Sequence, residues 1–506
     1  VENRKLIGKM IDEEWMVPNE YFEQYYPDVC VEQETPEFSD TLRIGCFLVV
    51  QKLFRDLQIE DVLSSIFGNL GLFIEDIVSY MIANESCTFQ YYSNFMRNHP
   101  VMDKIIRDDT QISRLLKYNI KEENINLFLR AWNQMNNTKE CIYVGYDSTN
   151  FNTNAYGIEL ADYGHPKVDE GLPQYNLAYA VNQKDSTPLF YELYDGSVID
   201  NTELEIMLEE AKEFGHERLG VLMDRGYISE KNIKALRSKG YEYILMMKQN
   251  QKICQEIIEE YGAAVQSLEG YYIGEHGVYG TTVKKELYGQ KANIHVYYDD
   301  IRASEEKIAL MSRYETWEKE IEKKVAKKIA TEGEMKKYRK VFKLKYDQNG
   351  YLVAYQRNSR YIKEEIRNLG FFFIITSEDM SASKALDIYR GRDNIEKMFR
   401  SLKSGIDFNK ARVHTTESLK SKVFVTFIAM IIRNELFQKA EVLRKKNRKA
   451  YTVPGMISEL ENIECTRNSV GKYRRKYALT AKQKLILKQF DMDEKYIDRS
   501  IGEFSY

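Results

Sequence analysis

Residues Ser383 to Lys403 read SKALDIYRGRDNIEKMFRSLK. The stretch holds no proline, and its single glycine, Gly391, is a cost of about 1 kcal/mol among strong helix formers, so the pattern predicts one helix of about five turns. At about 100° per residue, Tyr389, Arg392, Glu396 and Lys403 fall within an arc of about 60°. Ile388, Ile395, Met398, Phe399 and Leu402 gather on the adjoining side. One side docks on a core, and the other presents two cations, a carboxylate and a phenol. As a helix and nothing more, Arg392 and Glu396 are an i, i+4 pair and Lys403 lies on a solvated face.

The full spacing, Tyr389-x2-Arg392-x3-Glu396-x6-Lys403, resembles the signature of the DDE transposases of bacterial insertion sequences that carry a Tyr-Arg-Glu-Lys motif. The resemblance implies two aspartates upstream, each at the end of a strand. CIYVGYD is a short β-rich run ending in Asp147, followed by the polar turn-forming residues STNFNT. Such an Asp is ordinarily a cap or turn residue, although open α/β sheets also place catalytic groups at the carboxyl ends of strands. QYNLAYAVN at 174–182 and TPLFYELYDG at 187–196 predict a hairpin. A helix is predicted over about 201–214, then RLGVLMD as an apolar strand ending in Asp224. EKNIKALRSKG reads as a helix and YEYILMMK as a strand ending at Lys248. This order resembles the RNase H-like core of the same transposases, with Asp147 and Asp224 ending the first and fourth strands.

Working outward, 506 residues exceed one core, and 43% hydrophobic content with 8 prolines describes an ordered chain. The net charge of −4 carries no global sign of a polyanionic partner, but a polyanion reads local patches. Between Glu318 and Lys345 eleven Lys and Arg stand against five acids. The six cysteines include no C-x2-C pair, so neither a zinc site nor a disulfide framework is suggested. The longest apolar runs, such as 424–432, fall far short of the roughly 20 residues of a membrane span. With no basic-then-apolar leader at the start, a cytoplasmic protein without a membrane partner is expected, nucleoid-associated when bound to DNA.

The expected fold class is an α/β RNase H-like catalytic core with a β-rich insertion, plus helical amino- and carboxyl-terminal regions. Residues 1–137 form the helical amino-terminal region, from amphipathic runs such as TLRIGCFLVVQKLFRDL and GLFIEDIVSYMIANES; it either binds DNA or packs on the core or a second subunit. Residues 138–248 are the first part of the core, and 381–440 the second, ending in an apolar helix near 420–437. Between them, 249–380 is read as the β-rich insertion. It holds a basic helix over about 317–340 that either tracks phosphates or is an ordinary solvated helix. Trp317 is either a base-stacking residue or partly buried beneath that helix. Lys410, Arg412 and His414 precede the apolar helix; the first two are candidates for the DNA backbone, and His414 is a structural or surface residue. Residues 441–506 are basic and read as helical.

The resemblance implies a chemistry. Asp147, Asp224 and Glu396 would be catalytic, holding two Mg²⁺ (or Mn²⁺) ions with Asp147 bridging. Arg392 and Lys403 would clamp phosphates, Tyr389 would reach a neighbouring phosphate or stack on a displaced base, and Lys248 is a further DNA contact. The expected partner is double-stranded DNA, both element ends and target, handled by a homodimer. Expected activity is cut-and-paste transposition, with a DNA hairpin as one route for second-strand cleavage. The alternatives are an RNase H-like structure-selective nuclease without strand transfer and a domesticated DNA-binding regulatory factor.

Overall fold

The computed structural model describes residues 5–10, 16–18, 39–137, 141–164, 171–198, 200–216, 218–223, 228–327, 333–447, 451–468 and 471–504. Its strands, in chain order, are β1 (Gly8–Met10), β2 (Met16–Pro18), β3 (Thr41–Arg43), β4 (Ile142–Asn152), β5 (Gln174–Asn182), β6 (Pro188–Asp195), β7 (Leu219–Met223), β8 (Glu242–Met246), β9 (Tyr272–Ile273), β10 (Val278–Leu287), β11 (Gln290–Tyr298), β12 (Phe342–Tyr346), β13 (Leu352–Arg357), β14 (Phe371–Thr376), β15 (Glu464–Arg467) and β16 (Tyr473–Arg475).

Nine of these strands form one mixed sheet in the order β6-β5-β4-β7-β8-β14-β11-β10-β9. β4, β7 and β8 run parallel, joined through the helices Asp200–Glu213 and Glu230–Ser238, while the β5–β6 hairpin adds two antiparallel strands. Every residue of β7 is buried, as an apolar run must be when both faces of a central strand are covered.

β4 does not end at Asp147. The polar run Ser148 to Asn152, expected as a turn, stays extended because β5 pairs with it as far as Asn152 opposite Gln174. Two-sided burial holds it: Ser148 and Thr149 are 3% and 4% exposed. On its other edge β4 pairs with β7 only over Ile142–Gly145, so β4 runs well past its parallel neighbour.

The stretch 249–380 does not stand apart from this sheet. β14, β11, β10 and β9 extend it antiparallel from β8, so a boundary at 249 cuts through continuous pairing. β14, FFFIIT, is buried throughout and was missed because a short apolar run has no diagnostic period. What does form a separate small core is the helix Asp300–Lys327 with the β12–β13 hairpin, around Leu310, Tyr314, Ile321, Tyr338 and Phe342. That helix begins well ahead of the basic stretch expected over 317–340. In the hairpin turn at Asp347–Gly350, Gly350 takes φ +81°, and the Asp347 carboxylate accepts from the Asn349 and Tyr351 amides.

The helix Thr416–Asn447 is buried on all sides over Val423–Ile432, the pattern of a helix inside a large core. It packs on the helix Asn69–Ala83 and on β6. Helices at 45–56, 69–83 and 122–136 match the expected amphipathic runs. The carboxyl-terminal region is not purely helical: β15 pairs with β16 and with β3, stitching residues 464–467 to the start of the amino-terminal helices. Four-residue polar strands such as ECTR carry too short a pattern to be read before their partner is known. Among the described residues no helix is long and apolar enough to cross a membrane.

Candidate active site

The stretch 383–403 is not one uninterrupted helix. It comprises helices Ala382–Arg390 and Asp393–Arg400, followed by a π-helical turn over Ser401–Gly405. Between them the amides of Gly391, Arg392, Asn394 and Ile395 donate to carbonyls three residues back, a tightened 3₁₀ course. The cause is Gln183: a Cβ on Gly391 would lie 2.2–2.6 Å from its side chain, so the backbone passes directly against it. The Gln183 amide in turn donates to the Tyr143 carbonyl at 2.8 Å, and its carbonyl accepts from Asn394 Nδ2 at 3.1 Å. The helix start is thereby fixed to the beginning of β4.

The tightened course changes which residues share a face. A 3₁₀ step advances about 120° in place of about 100°, so four such steps rotate the first helix by roughly 80° against the second. Tyr389, expected beside Arg392, is instead 7% exposed and belongs to a cluster with Leu222, Ile244 and Phe372. Ile395, Met398, Phe399 and Leu402 are buried as expected. Gly145 lies beneath Ile395, whose side chain would be 3.8 Å from a Cβ there, and Phe399 meets Tyr179 of β5 edge-on at 5.9 Å. The helix therefore lies across β4 and β5, just before Asp147.

Glu396 points outward, its side chain 53% exposed, and its Oε1 accepts from Arg392 at 2.6 Å, whose own side chain is 15% exposed. Arg392 is thus the better shielded partner and holds the carboxylate from the helix side. Lys403 turns towards β4: its Nζ donates to Thr149 Oγ1 at 2.7 Å and stands 5.2 Å from the Phe151 ring centroid. Asp147 is half-buried, with Oδ1 accepting from the Ser148 amide at 2.9 Å. Asp224 lies outside the described residues; β7 ends at Met223, the residue before it.

Lys248 is exposed two residues past β8, which is parallel to β7 and ends on the same side of the sheet. Lys410 and Arg412 line a cleft of about 300 Å³ with Asn152–Ala155 at the end of β4. Trp317 lies apart, half-buried against Tyr314 and Tyr338 with the Arg313 guanidinium 5.4 Å from its ring. Sequence reasoning missed Thr149, Phe151 and Gln183. The first two sit in the stretch taken for a turn, and Gln183 in the hairpin loop, where nothing local marks a contact with Gly391.

The Asp147 and Glu396 carboxylates offer oxygen donors of the kind hard divalent cations take. Among the described residues no cluster of three His, Cys, Asp or Glu side chains is assembled for a metal, and one of the three carboxylates lies outside them.

No curated protein matches this chain. Among solved structures, it is similar to the piggyBac transposase synaptic complex with hairpin DNA, seen by cryo-EM. The identity is 9% over 86% of this chain and 75% of that one, with a TM-score of 0.36, too distant for residues to be compared. The family model of the transposase DDE domain matches residues 144–432, more than half of the 506 residues and the span from β4 to the long buried helix, and the chain belongs to that family.

Proposed function

We propose that the protein is the DNA transposase of an insertion sequence, which cuts the element's ends and joins them to target DNA by a metal-dependent cut-and-paste reaction. Family membership supports DNA transposition. The observation that carries the residue assignment is the pairing of β4 with β7. Gly145 stands opposite Leu222 in parallel register, and Asp147 and Asp224 each follow that pair by two residues. Glu396 rides on the helix packed over the same Gly145. The order β6-β5-β4-β7-β8, with an antiparallel hairpin beside parallel strands, supports an RNase H-like core built from 138–248 and 381–440. On this reading 1–137 and 441–506 supply DNA and dimer contacts, and the β12–β13 unit within 249–380 is the inserted element.

Asp147, Asp224 and Glu396 would hold two Mg²⁺ or Mn²⁺ ions, which when bound would stabilise negative charge on the attacking and leaving oxygens. The chain's own groups do the rest. Arg392 fixes the Glu396 carboxylate and offers a planar fork that suits a phosphate next to the scissile bond. Lys403, steered by Thr149, brings a mobile point charge to the opposite flank. Tyr389 supports the first helix from the core. Lys248, Lys410 and Arg412 extend the backbone contacts. Because two element ends are handled together, a homodimer is the active form, and a hairpin is one route for second-strand cleavage. The site of action is the cytoplasm, on the nucleoid.

The test is cleavage of a labelled duplex carrying the element's own terminus, taken from DNA flanking the reading frame, with Mg²⁺ and with EDTA. Metal-dependent cuts at the boundary that vanish in Asp147→Asn are expected, with a hairpin product. Binding without cutting by the unaltered protein would overturn the enzymatic assignment.

A further inference from the structure

Past the π-turn, the segment Arg412–Lys422 separates two clefts. One is the cleft against Asn152–Ala155. The other, about 280 Å³, lies between this segment and the helix Asp109–Asn119 of the amino-terminal region. Five side chains lining the second are cationic or can become so, namely Arg114, Lys117, Arg412, His414 and Lys422, and no Asp or Glu lines it. Arg114 and Lys117 share a helix face with Thr110 and Ser113, while Ile112 is buried and the buried Leu116 forms part of the cleft floor.

Lys422 is the unusual member. It is 4% exposed and its ammonium stands 4.9 Å from the Phe89 ring centroid. Among the described residues no carboxylate is within ion-pair distance of it, and an unpaired buried ammonium is costly. Burial pushes its pKa below the ordinary lysine value; Cys87 opposes that shift and Arg412 adds to it. Of the carboxylates that act on these cations, Asp407 lies 3.6 Å from Arg412, and Glu417 is held below the usual carboxylate range by its own amide and Thr415, with Lys117 and Lys420 adding to it; neither reaches Lys422. Arg412 is itself held in place, donating to Thr88 Oγ1 and taking φ +53°, a conformation that non-glycine residues adopt at a cost. A bound anion would offset the charge gathered here.

The geometry points to a second DNA-backbone subsite, in which Arg114, Lys117, Arg412 and Lys422 hold a phosphate of the element-end duplex between the amino-terminal helices and the catalytic sheet. It rests on the transposase reading above. The first cleft begins at Asn152, five residues along β4 from Asp147, which is about 17 Å at roughly 3.3 Å per residue and about half a turn of duplex. A duplex that leaves the carboxylates along β4 would reach the first cleft at that distance and meet the second across the shared residues Arg412, Val413 and His414, so that the subsite would couple the amino-terminal region to the cleavage register.

The experiment is ethylation interference on the terminal duplex, with binding measured across a salt series, for the unaltered full chain, for Arg114→Gln with Lys117→Gln, and for Lys422→Met. The exposed double variant keeps its fold even if Lys422→Met does not. Expected is the loss of interference at one or two phosphates half a turn or more from the cut, with those at the cut retained. Affinity should fall about tenfold, and the salt slope should become shallower by about 0.9 per lost phosphate contact. An unchanged interference pattern and salt slope in the double variant, with normal binding by the unaltered protein, would overturn the subsite and leave the transposase reading standing. If the unaltered protein shows neither binding nor interference, both readings fall.

Discussion

Lys403 and Thr149, 254 residues apart in the chain, meet through a 2.7 Å hydrogen bond that ties the π-turn behind the glutamate helix to the extension of β4 beyond Asp147. The wide turn gives Lys403 this reach. One extra residue over Ser401–Gly405 swings its side chain from the solvated face a regular helix would give it onto the sheet. The last residue of the signature is therefore positioned by the same strand that carries the first aspartate.

That contact makes Lys403 and Thr149 separable. Lys403→Ala removes the charge, and joining of pre-cleaved ends is expected to fall tenfold or more. Thr149→Val keeps the shape and removes the acceptor, worth about 1 kcal/mol, so a drop of roughly threefold to tenfold is expected. Strand-transfer assays with pre-cut termini read both. Normal joining by Lys403→Ala would remove the residue from the site.

Glu396→Gln tests the carboxylate without disturbing shape. Arg392 can still bond to the amide oxygen, so the helix and its docking on Gly145 should persist. Strand cleavage is expected to fall at least about a thousandfold, about 4 kcal/mol of barrier, while duplex binding stays within about threefold. Retained cutting would mean that Glu396 holds no metal.

The sheet was legible where apolar runs were long and bounded: β4 to β8, the hairpin and the helices between them follow from periodicity and turn residues alone. The candidate site was read from residue types at fixed spacing. Its three-dimensional details were not, because they arise from contacts distant in sequence. Nothing in YRGRDNIEK announces that Gln183 presses on Gly391, and that contact rotates Tyr389 into the core. Likewise Ser148 to Asn152 are turn formers by composition, and only the partner strand β5 keeps them extended.

Gly391 therefore invites a double-mutant cycle. Gly391→Ala improves helix propensity by up to about 1 kcal/mol but places a methyl on Gln183. A net loss of about 1–2 kcal/mol with reduced cleavage is expected, since overpacking outweighs propensity. Adding Gln183→Ala should return most of the stability, although cleavage should recover less, because the helix loses its tether to β4. Urea denaturation and cleavage rates on the four proteins separate the two effects. Additive losses would exclude the contact as the cause of the tightened turn.

The amino-terminal helices carry a pH dependence of their own. Glu75 and Asp76, adjacent on the helix Asn69–Ala83, are 1% and 0% exposed. Burial pushes the Glu75 carboxyl up to about 8, with Glu60 and Asp76 adding to it, and burial pushes Asp76 up to about 7 against the amides of Asp103 and Met102. Among the described residues Glu75 Oε2 has no hydrogen-bond partner. In the unfolded chain both groups titrate near 4, so between about pH 4 and 8 the folded state binds more protons. Their contribution is present in full below pH 4 and is lost as pH rises through 7 and 8. Glu75→Gln should flatten this slope, leaving the protein more stable than the unaltered chain at pH 8.5 by about 1–3 kcal/mol and little changed at pH 5. Chemical denaturation across that range measures it, and parallel curves for the two proteins would show that Glu75 does not titrate with folding.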